Sequence, residues 1–240
     1  MKIELRRYIN SASIFIIFGL TGLCFMLGYI LLVTIDKVYD ISLPMLFESV
    51  YTVYTQFGML ILSPFIISTI SNDYKDKNIL FYKTININPL RYYVNKIFIS
   101  IISFSISVII FTTLVCIIYS DFSIWYIMVS YFVNVIIAYI LIISLWAYIF
   151  RDFVVAFFVN FTVWIIGIVI SSFSESLSLF AYYDASSPLY LNLMDYMDSL
   201  PNGSSNLLSI NASVLYNILL LLICLIFVIF LRRRWIKNGV

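Results

Sequence analysis

The chain has 240 residues, of which 63% are hydrophobic and only 11% are charged. An ordinary soluble domain carries roughly 25% charged residues, so this composition excludes one and indicates a single membrane domain over 1–240. The formal net charge is +2 and histidine is absent. Histidine-based catalysis and histidine metal sites are therefore excluded, and nothing suggests a nucleic-acid partner.

Long apolar stretches recur along the whole chain. Each is close to the roughly 20 residues that a helix needs to cross the hydrocarbon of a bilayer. The predicted spans are Ile14–Ile35, Val50–Ile70, Ile97–Tyr119, Ser123–Phe150, Phe153–Ser172 and Val214–Leu231. We therefore predict an all-α polytopic membrane protein with six transmembrane helices.

The lysines and arginines orient these spans. When the loops are assigned alternately to the two sides, thirteen of the fourteen basic residues fall on one side and only Lys37 falls on the other. Because cytoplasmic loops carry the excess of Lys and Arg, both termini are predicted to be cytoplasmic. The basic clusters near the two termini are expected to interact with the anionic lipids of the inner leaflet.

Residues 1–10 are predicted to form a short interfacial helix. Met1, Leu5, Tyr8 and Ile9 fall on one helical arc, and charged or polar residues occupy the rest. This pattern is typical of a helix that lies in the membrane surface, although a merely basic flank to the first span is the alternative.

The second predicted span carries a polar face. Glu48, Thr52 and Gln56 are spaced four apart, so they share one side of a helix that must face protein or water. Two interpretations remain open, a cavity at a subunit interface and ordinary hydrogen bonding between helices. The same span contains Pro64, whose missing N–H frees a carbonyl that the preceding Ser63 can partly satisfy.

Two isolated amides, Asn134 and Asn160, lie near the middle of the fourth and fifth spans. We favour hydrogen bonds to neighbouring helices for both, since such bonds need no substrate.

The segment 71–96 is the only sizeable inner loop. Asn88-Pro89 is a favourable helix start, because Asn can cap and Pro is tolerated in the first turn, so a helix should run from Pro89 into the third span. The stretch Asp73–Lys83 begins charged and becomes apolar and aromatic. It predicts a short helix lying across the membrane surface.

The largest outer segment, 173–213, is rich in aromatic residues among serines and acids. Two short amphipathic helices flanking Ser187-Pro188 fit this pattern, resting at the outer interface or dipping into it. The aromatic content argues against a disordered loop.

Motifs for catalysis and for nucleotide binding are missing. The glycines form no phosphate-binding loop, and no nucleophile, zinc or Cys/His motif occurs, so we predict no catalytic residues, no metal site and no ATP hydrolysis by this chain. Glu48 is the only acid that we place within a span, and it lies at the outer end. Coupled carriers usually need ionisable groups near mid-membrane, which weighs against a secondary carrier.

The inner loop, together with the topology, resembles the ABC-2 type permease family. An acidic residue, a basic and Asn-containing stretch, a Thr and Pro element and then Arg and Lys follow one another. In this chain they are Asp73, Lys75 to Asn78, Thr84 with Pro89, Arg91 and Lys96. The resemblance covers nearly the whole chain.

The resemblance implies a dimer of six-span subunits, a copy or a paralogue, over two separate ATPase subunits that bind ATP-Mg. This chain would then carry no cofactor of its own. It implies that the N-terminal helix and a coupling helix in 71–96 dock onto the ATPase, and that 173–213 forms short re-entrant helices. The expected coupling residues are Asp73, Lys75, Asn78, Phe81, Tyr82 and Lys83. The expected cavity-lining residues are Glu48, Thr52 and Gln56.

The implied function is export across a bacterial cytoplasmic membrane. The chain is similar to permease subunits of lantibiotic-immunity exporters and of exporters of phenol-soluble-modulin-type peptides. Its expected substrates are amphipathic, antimicrobial or toxin peptides, or lipid-like compounds. The alternatives are a non-transporting scaffold or accessory subunit, and a secondary carrier.

Overall fold

A computed structural model describes residues 12–38, 40–173, 175–185, 187–200 and 210–233. The interfacial helix predicted over 1–10 lies outside the described residues. Within them the chain is all helical. The α-helices are α1 (Ser13–Thr34), α2 (Leu43–Lys75), α3 (Asn78–Thr84), α4 (Pro89–Tyr119), α5 (Trp125–Ile149), α6 (Phe153–Phe173), α7 (Pro188–Asp198) and α8 (Ile210–Phe230), and a 3₁₀ helix covers Glu175–Ala181.

Six of these helices, namely α1, α2, α4, α5, α6 and α8, are long and apolar enough to cross a membrane. This confirms the all-α, six-span prediction. The orientation of the bundle remains a prediction, so its two ends are named here by the short helices they carry: α3 lies at one end and α7 at the other.

The second span is longer at both ends than the sequence predicted. α2 has 33 residues and begins at Leu43, where Ser42 is extended and Pro44 occupies the first turn. At 1.5 Å per residue it spans about 50 Å, well beyond the roughly 30 Å of hydrocarbon. The polar residues near its ends can therefore lie at the membrane surface.

The helix predicted at Pro89 begins there, whereas the short helix predicted within Asp73–Lys83 begins later, because residues 73–75 belong to α2. α4 begins at Pro89 after Asn88, which is extended but makes no side-chain capping bond. α3 begins at Asn78, after Lys77 in the left-handed region at φ 56°. α2, α3 and α4 therefore form a helix–short helix–helix turn at one end of the bundle.

The centre of the bundle is formed by α2 and α5. In their most apolar stretches 61% and 67% of the residues are buried, against 17% in α6 and 22% in α8. The core between them is aromatic: the ring of Phe132 on α5 lies 5.3 Å from that of Tyr54 on α2 and 5.6 Å from that of Phe25 on α1. Helices in a bilayer gain no hydrophobic free energy by associating, because lipid tails are as apolar as their side chains. Close packing of this kind therefore drives their association.

α1 and α2 approach each other at a glycine. A Cβ atom on Gly28 would lie 2.8 Å from the Cα atom of Val50, so no larger residue fits without movement. The Ser49 hydroxyl donates to the Gly28 carbonyl at 2.8 Å. Small residues allow this close backbone contact in membrane helices.

The proline in α2 is compensated as the sequence predicted. Pro64 cannot donate to the carbonyl of Leu60 one turn earlier. The Ser63 hydroxyl donates to that carbonyl at 3.2 Å instead. The helix therefore continues through the proline with this carbonyl satisfied.

Candidate functional site

Asp73 is a buried hub at the α3 end of the bundle. Its carboxylate lies 2.8 Å from Lys96 Nζ on α4, and both side chains are almost fully buried, at 0% and 4% exposure. Tyr92 donates to the same carboxylate at 2.9 Å and Asn78 donates at 3.1 Å. One side chain thus joins the end of α2, the start of α3 and the start of α4.

α3 is held by one face and exposes the other. Ile79 and Tyr82 are buried, and the ring of Tyr82 lies 5.2 Å from that of Tyr92. Phe81 points outward with 52% of its surface exposed, and Lys83 is exposed beside it. Aromatic side chains are enriched in protein–protein interfaces, so the exposed ring of Phe81 is a candidate contact for a partner.

The structure divides the six predicted coupling residues into two groups. Asp73 and Tyr82 are buried, and Asn78 is half-buried and bonded to Asp73. Lys75, Phe81 and Lys83 are exposed. Lys75 also lines an open cavity of about 470 Å³ together with Arg151 and Asp152, beside the start of α6.

The polar face of α2 is split between two environments. Glu48 and Thr52 line an open cavity of about 420 Å³ at the α7 end, together with Asp36 and Tyr190. The hydroxyl groups of Thr52 and Tyr190 lie 2.6 Å apart. Gln56 does not line this cavity: its amide donates to Asp184 at 3.3 Å.

The described part of the segment between α6 and α8 packs against the bundle. It contains the 3₁₀ helix and α7, on either side of Ser187, whose hydroxyl accepts from the Tyr190 N–H at 3.2 Å. Tyr183 and Asp184 between them are buried. The Tyr183 hydroxyl donates to Asn217 of α8 at 3.2 Å, so this segment is bonded to the interior of the bundle.

Asp184 is a candidate functional residue that sequence reasoning missed. We placed it in an outer loop and took Glu48 as the only acid within a span. Its partner Gln56 lies about 20 Å along the axis of α2 from Leu43, so the carboxylate sits well inside the bundle. The available signal was the run Tyr182-Tyr183-Asp184, in which an acid directly follows two aromatic residues.

A third and smaller cavity lies beside Asp184, with a volume of about 60 Å³. We call it the aromatic cavity. It is enclosed by α2, α5, α6, α8 and the start of the segment after α6, and it extends to Met59 at the midpoint of α2. Besides Asp184, its lining includes six aromatic side chains: Tyr139, Trp164, Phe180, Tyr182, Tyr183 and Tyr216.

The two predicted membrane amides behave differently. Asn134 accepts a hydrogen bond from Asn217 Nδ2 on α8 at 2.9 Å, which is the predicted contact between helices. Asn160 is 1% exposed, and neither atom of its amide group has a hydrogen-bond partner among the described residues. Its predicted interhelical bond is therefore not formed.

The fold defines a multi-pass α-helical membrane protein whose polar groups lie along the inside of a six-span bundle. A family model described as the peptide export permease protein YydJ family matches residues 1–240, and the chain belongs to this family. A probable peptide export permease protein YydJ of Bacillus subtilis (strain 168) is 31% identical over 242 residues, covering 100% of both chains. No solved structure matches the chain.

This membership is consistent with the ABC-2 permease resemblance. It makes the chain a membrane permease of a peptide export family.

Proposed function

We propose that this chain is the permease subunit of an ATP-driven exporter of amphipathic peptides in a bacterial cytoplasmic membrane. The main support is the match to a peptide export permease family over residues 1–240. The sequence contains no phosphate-binding loop, so ATP hydrolysis is assigned to another subunit. The energy then comes from two separate ATPase subunits, which bind ATP-Mg. A second permease subunit, a copy or a paralogue, completes the complex.

The α3 end is the proposed docking surface for the ATPase. The exposed group, Lys75, Phe81 and Lys83, makes the contact. The buried group, Asp73, Asn78 and Tyr82, holds α3 against α2 and α4. A rigidly held short helix transmits a movement of the ATPase to both long helices, because Asp73 belongs to α2 and bonds to Asn78 of α3 and to Lys96 of α4.

A matched pair of substitutions tests this assignment. Phe81→Asp introduces a charge at the proposed contact, and Phe122→Asp introduces the same charge in the turn that follows α4, at the opposite end of the bundle. The two rings are 52% and 53% exposed, so the changes perturb folding to a similar degree. Both variants are co-expressed with the candidate ATPase subunit, purified in mild detergent and assayed for ATPase retention and ATP hydrolysis.

We expect Phe81→Asp to lose most of the bound ATPase, and Phe122→Asp to retain it. Retention by both variants, each eluting as a folded protein, would show that α3 is not the docking element. A wild-type permease that binds no ATPase would instead favour the accessory-subunit interpretation.

The open cavity at the α7 end is the proposed exit of the substrate. Glu48 and Thr52 present polar groups there, and aliphatic side chains of α1 complete the wall. A wall with both characters suits an amphipathic peptide better than a fully polar solute. In this scheme the peptide enters from the cytoplasm or inner leaflet, and ATP-driven closure moves it outward.

One observation favours a secondary carrier as the second candidate. Asp184 places a buried carboxylate inside the bundle. The argument against a carrier was that no acidic residue lies near mid-membrane, and this carboxylate weakens it. The two candidates differ in their energy source. Export by a carrier stops when a protonophore collapses the proton gradient and continues without the ATPase, whereas the proposed exporter stops when the ATPase is inactivated.

A further inference from the structure

The open cavity of about 470 Å³ at the α3 end lies where two apolar spans meet the membrane surface. We call it the basic cavity. On α2 it is lined by Lys75, five residues after the apolar run ends at Ile70. On the other side it is lined by Arg151 and Asp152, which directly precede α6. Because apolar spans occupy the hydrocarbon and basic residues flank them, the basic cavity lies at the level of the lipid headgroups.

Two basic side chains give the basic cavity its charge. Lys75 and Arg151 line it, and neither forms an ion pair with a described residue. Asp152 is the one carboxylate among the described residues of the lining. It accepts hydrogen bonds from the N–H groups of Val154 and Val155 at 2.8 and 3.2 Å, so it caps the first turn of α6. With two cations and one carboxylate, the lining keeps a net positive charge.

These two cations suit a phosphate group. A guanidinium can bind phosphate oxygens through two parallel N–H bonds, and an ammonium adds a compact positive charge. Basic pockets between transmembrane helices bind the head groups of anionic lipids. The volume of the basic cavity falls within the roughly 300–1,000 Å³ of small-molecule sites, so it has room for a phosphate and the glycerol attached to it.

An apolar surface continues from the basic cavity along α6. Phe153 and Val154 belong to the lining, and Phe158 follows Val154 by about one helical turn. Val154 and Phe158 are 55% and 59% exposed, and the rings of Phe153 and Phe157 stack at 6.3 Å. The acyl chains of a lipid can pack on this surface while its phosphate lies in the cavity. A soluble phosphate compound makes no use of it.

We propose that the basic cavity binds the phosphate group of an anionic phospholipid. Arg151 and Lys75 bind the phosphate oxygens, and the acyl chains lie against α6. The lipid then connects the end of α2 to the start of α6. This site goes beyond the export function and does not depend on it. Lys75 also belongs to the proposed ATPase contact, so the test changes Arg151, which does not.

The test uses the full chain in a non-ionic detergent and three probes. Dioctanoyl phosphatidylglycerol is an anionic lipid. Dioctanoyl phosphatidylcholine has the same chains and a phosphate but no net charge, and glycerol phosphate has the phosphate without the chains. Native mass spectrometry counts the bound molecules and gives their dissociation constants.

A matched pair of variants isolates the site. Arg151→Gln removes one charge from the basic cavity. Arg91→Gln makes the same change at an exposed position near the start of α4, at the same end of the bundle. Both side chains are exposed, so neither change disturbs the packing of the helices.

We expect saturable binding of phosphatidylglycerol and much weaker binding of the other two probes. Arg151→Gln should weaken phosphatidylglycerol binding about fivefold, which is the effect of one basic residue near an anionic surface. Arg91→Gln should leave it unchanged.

Four results would overturn the proposal. Equal binding of the two lipids, or wild-type binding of phosphatidylglycerol by folded Arg151→Gln, would show that the cations do not select an anionic lipid. Glycerol phosphate that binds as tightly as the lipid would assign the cavity to a soluble phosphate compound. Equal losses in Arg151→Gln and Arg91→Gln would indicate a diffuse attraction to this end of the bundle. An Arg151→Gln variant that loses the ATPase but keeps the lipid would make the cavity part of the partner contact.

Discussion

Asp73 and Lys96 form a buried ion pair of 2.8 Å between the end of α2 and the start of α4. The pair is satisfied on both sides. Tyr92 and Asn78 donate to the carboxylate, and Lys96 also donates to the Thr69 carbonyl at 3.3 Å. Buried charges are tolerated only when they are paired and hydrogen-bonded in this way. Because Asn78 of α3 is one of the partners, the pair also fixes the position of α3.

Removing one partner of this pair should destabilise the protein strongly. Asp73→Asn leaves Lys96 buried without its counter-charge, and breaking a buried pair in this way costs about 3–5 kcal/mol. The double variant Asp73→Asn/Lys96→Met should recover part of this loss. Unfolding in detergent measures the free energies, with the exposed Asp76→Asn as control. Additive effects of the two single changes would contradict a direct pairing.

Gly28→Ala should weaken the contact between α1 and α2. The new methyl group would lie 2.8 Å from the Val50 Cα atom and 2.9 Å from its backbone nitrogen, which cannot move aside as a side chain can. Overpacking of this kind costs about 1–3 kcal/mol.

Gly19→Ala is the matched control for this change. Gly19 lies on the same helix, and a Cβ atom there would have no neighbouring atom within 4 Å. The thermal unfolding midpoints of the two variants should differ, with only Gly28→Ala below wild type. Equal midpoints would show that α1 and α2 separate readily at this point.

Two asparagine substitutions should have opposite effects on stability. Asn217→Leu removes the donor to Asn134 and the acceptor for Tyr183, and membrane hydrogen bonds of this kind contribute about 1–2 kcal/mol. Asn160→Leu removes an amide group that has no partner among the described residues, so it should raise the free energy of unfolding by about 1 kcal/mol. A large loss on Asn160→Leu would mean that its amide group is bonded in the assembled protein.

The orientation of the bundle can be tested by cysteine labelling. The three native cysteines are buried, and replacing them with Ala or Ser gives a cysteine-free protein for labelling. Lys77→Cys and Asp195→Cys then introduce thiols at exposed positions at opposite ends. A membrane-impermeant maleimide should label Asp195→Cys in intact cells and Lys77→Cys only after permeabilisation. Labelling of Lys77→Cys in intact cells would invert the topology.

Local patterns were sufficient to predict two features of the long helices. Asn88-Pro89 marked the start of α4, and Ser63 before Pro64 indicated the rescue of the Leu60 carbonyl. Both depend only on residues within one helical turn. The roles of Asp73 and Tyr82 could not be predicted in this way. A charged or aromatic residue in the sequence does not show whether its side chain is buried in the bundle or exposed to a partner.

The sequence by itself determined the class of this protein. Six apolar stretches of membrane-spanning length and the placement of the basic residues define a polytopic bundle, since hydropathy is a local property of the chain. Only the tertiary structure decided which polar groups meet. Gln56 and Asp184 are 128 residues apart, and Asn134 and Asn217 are 83 apart. Such contacts arise from how helices pack, which no local pattern encodes, and they carry the candidate site.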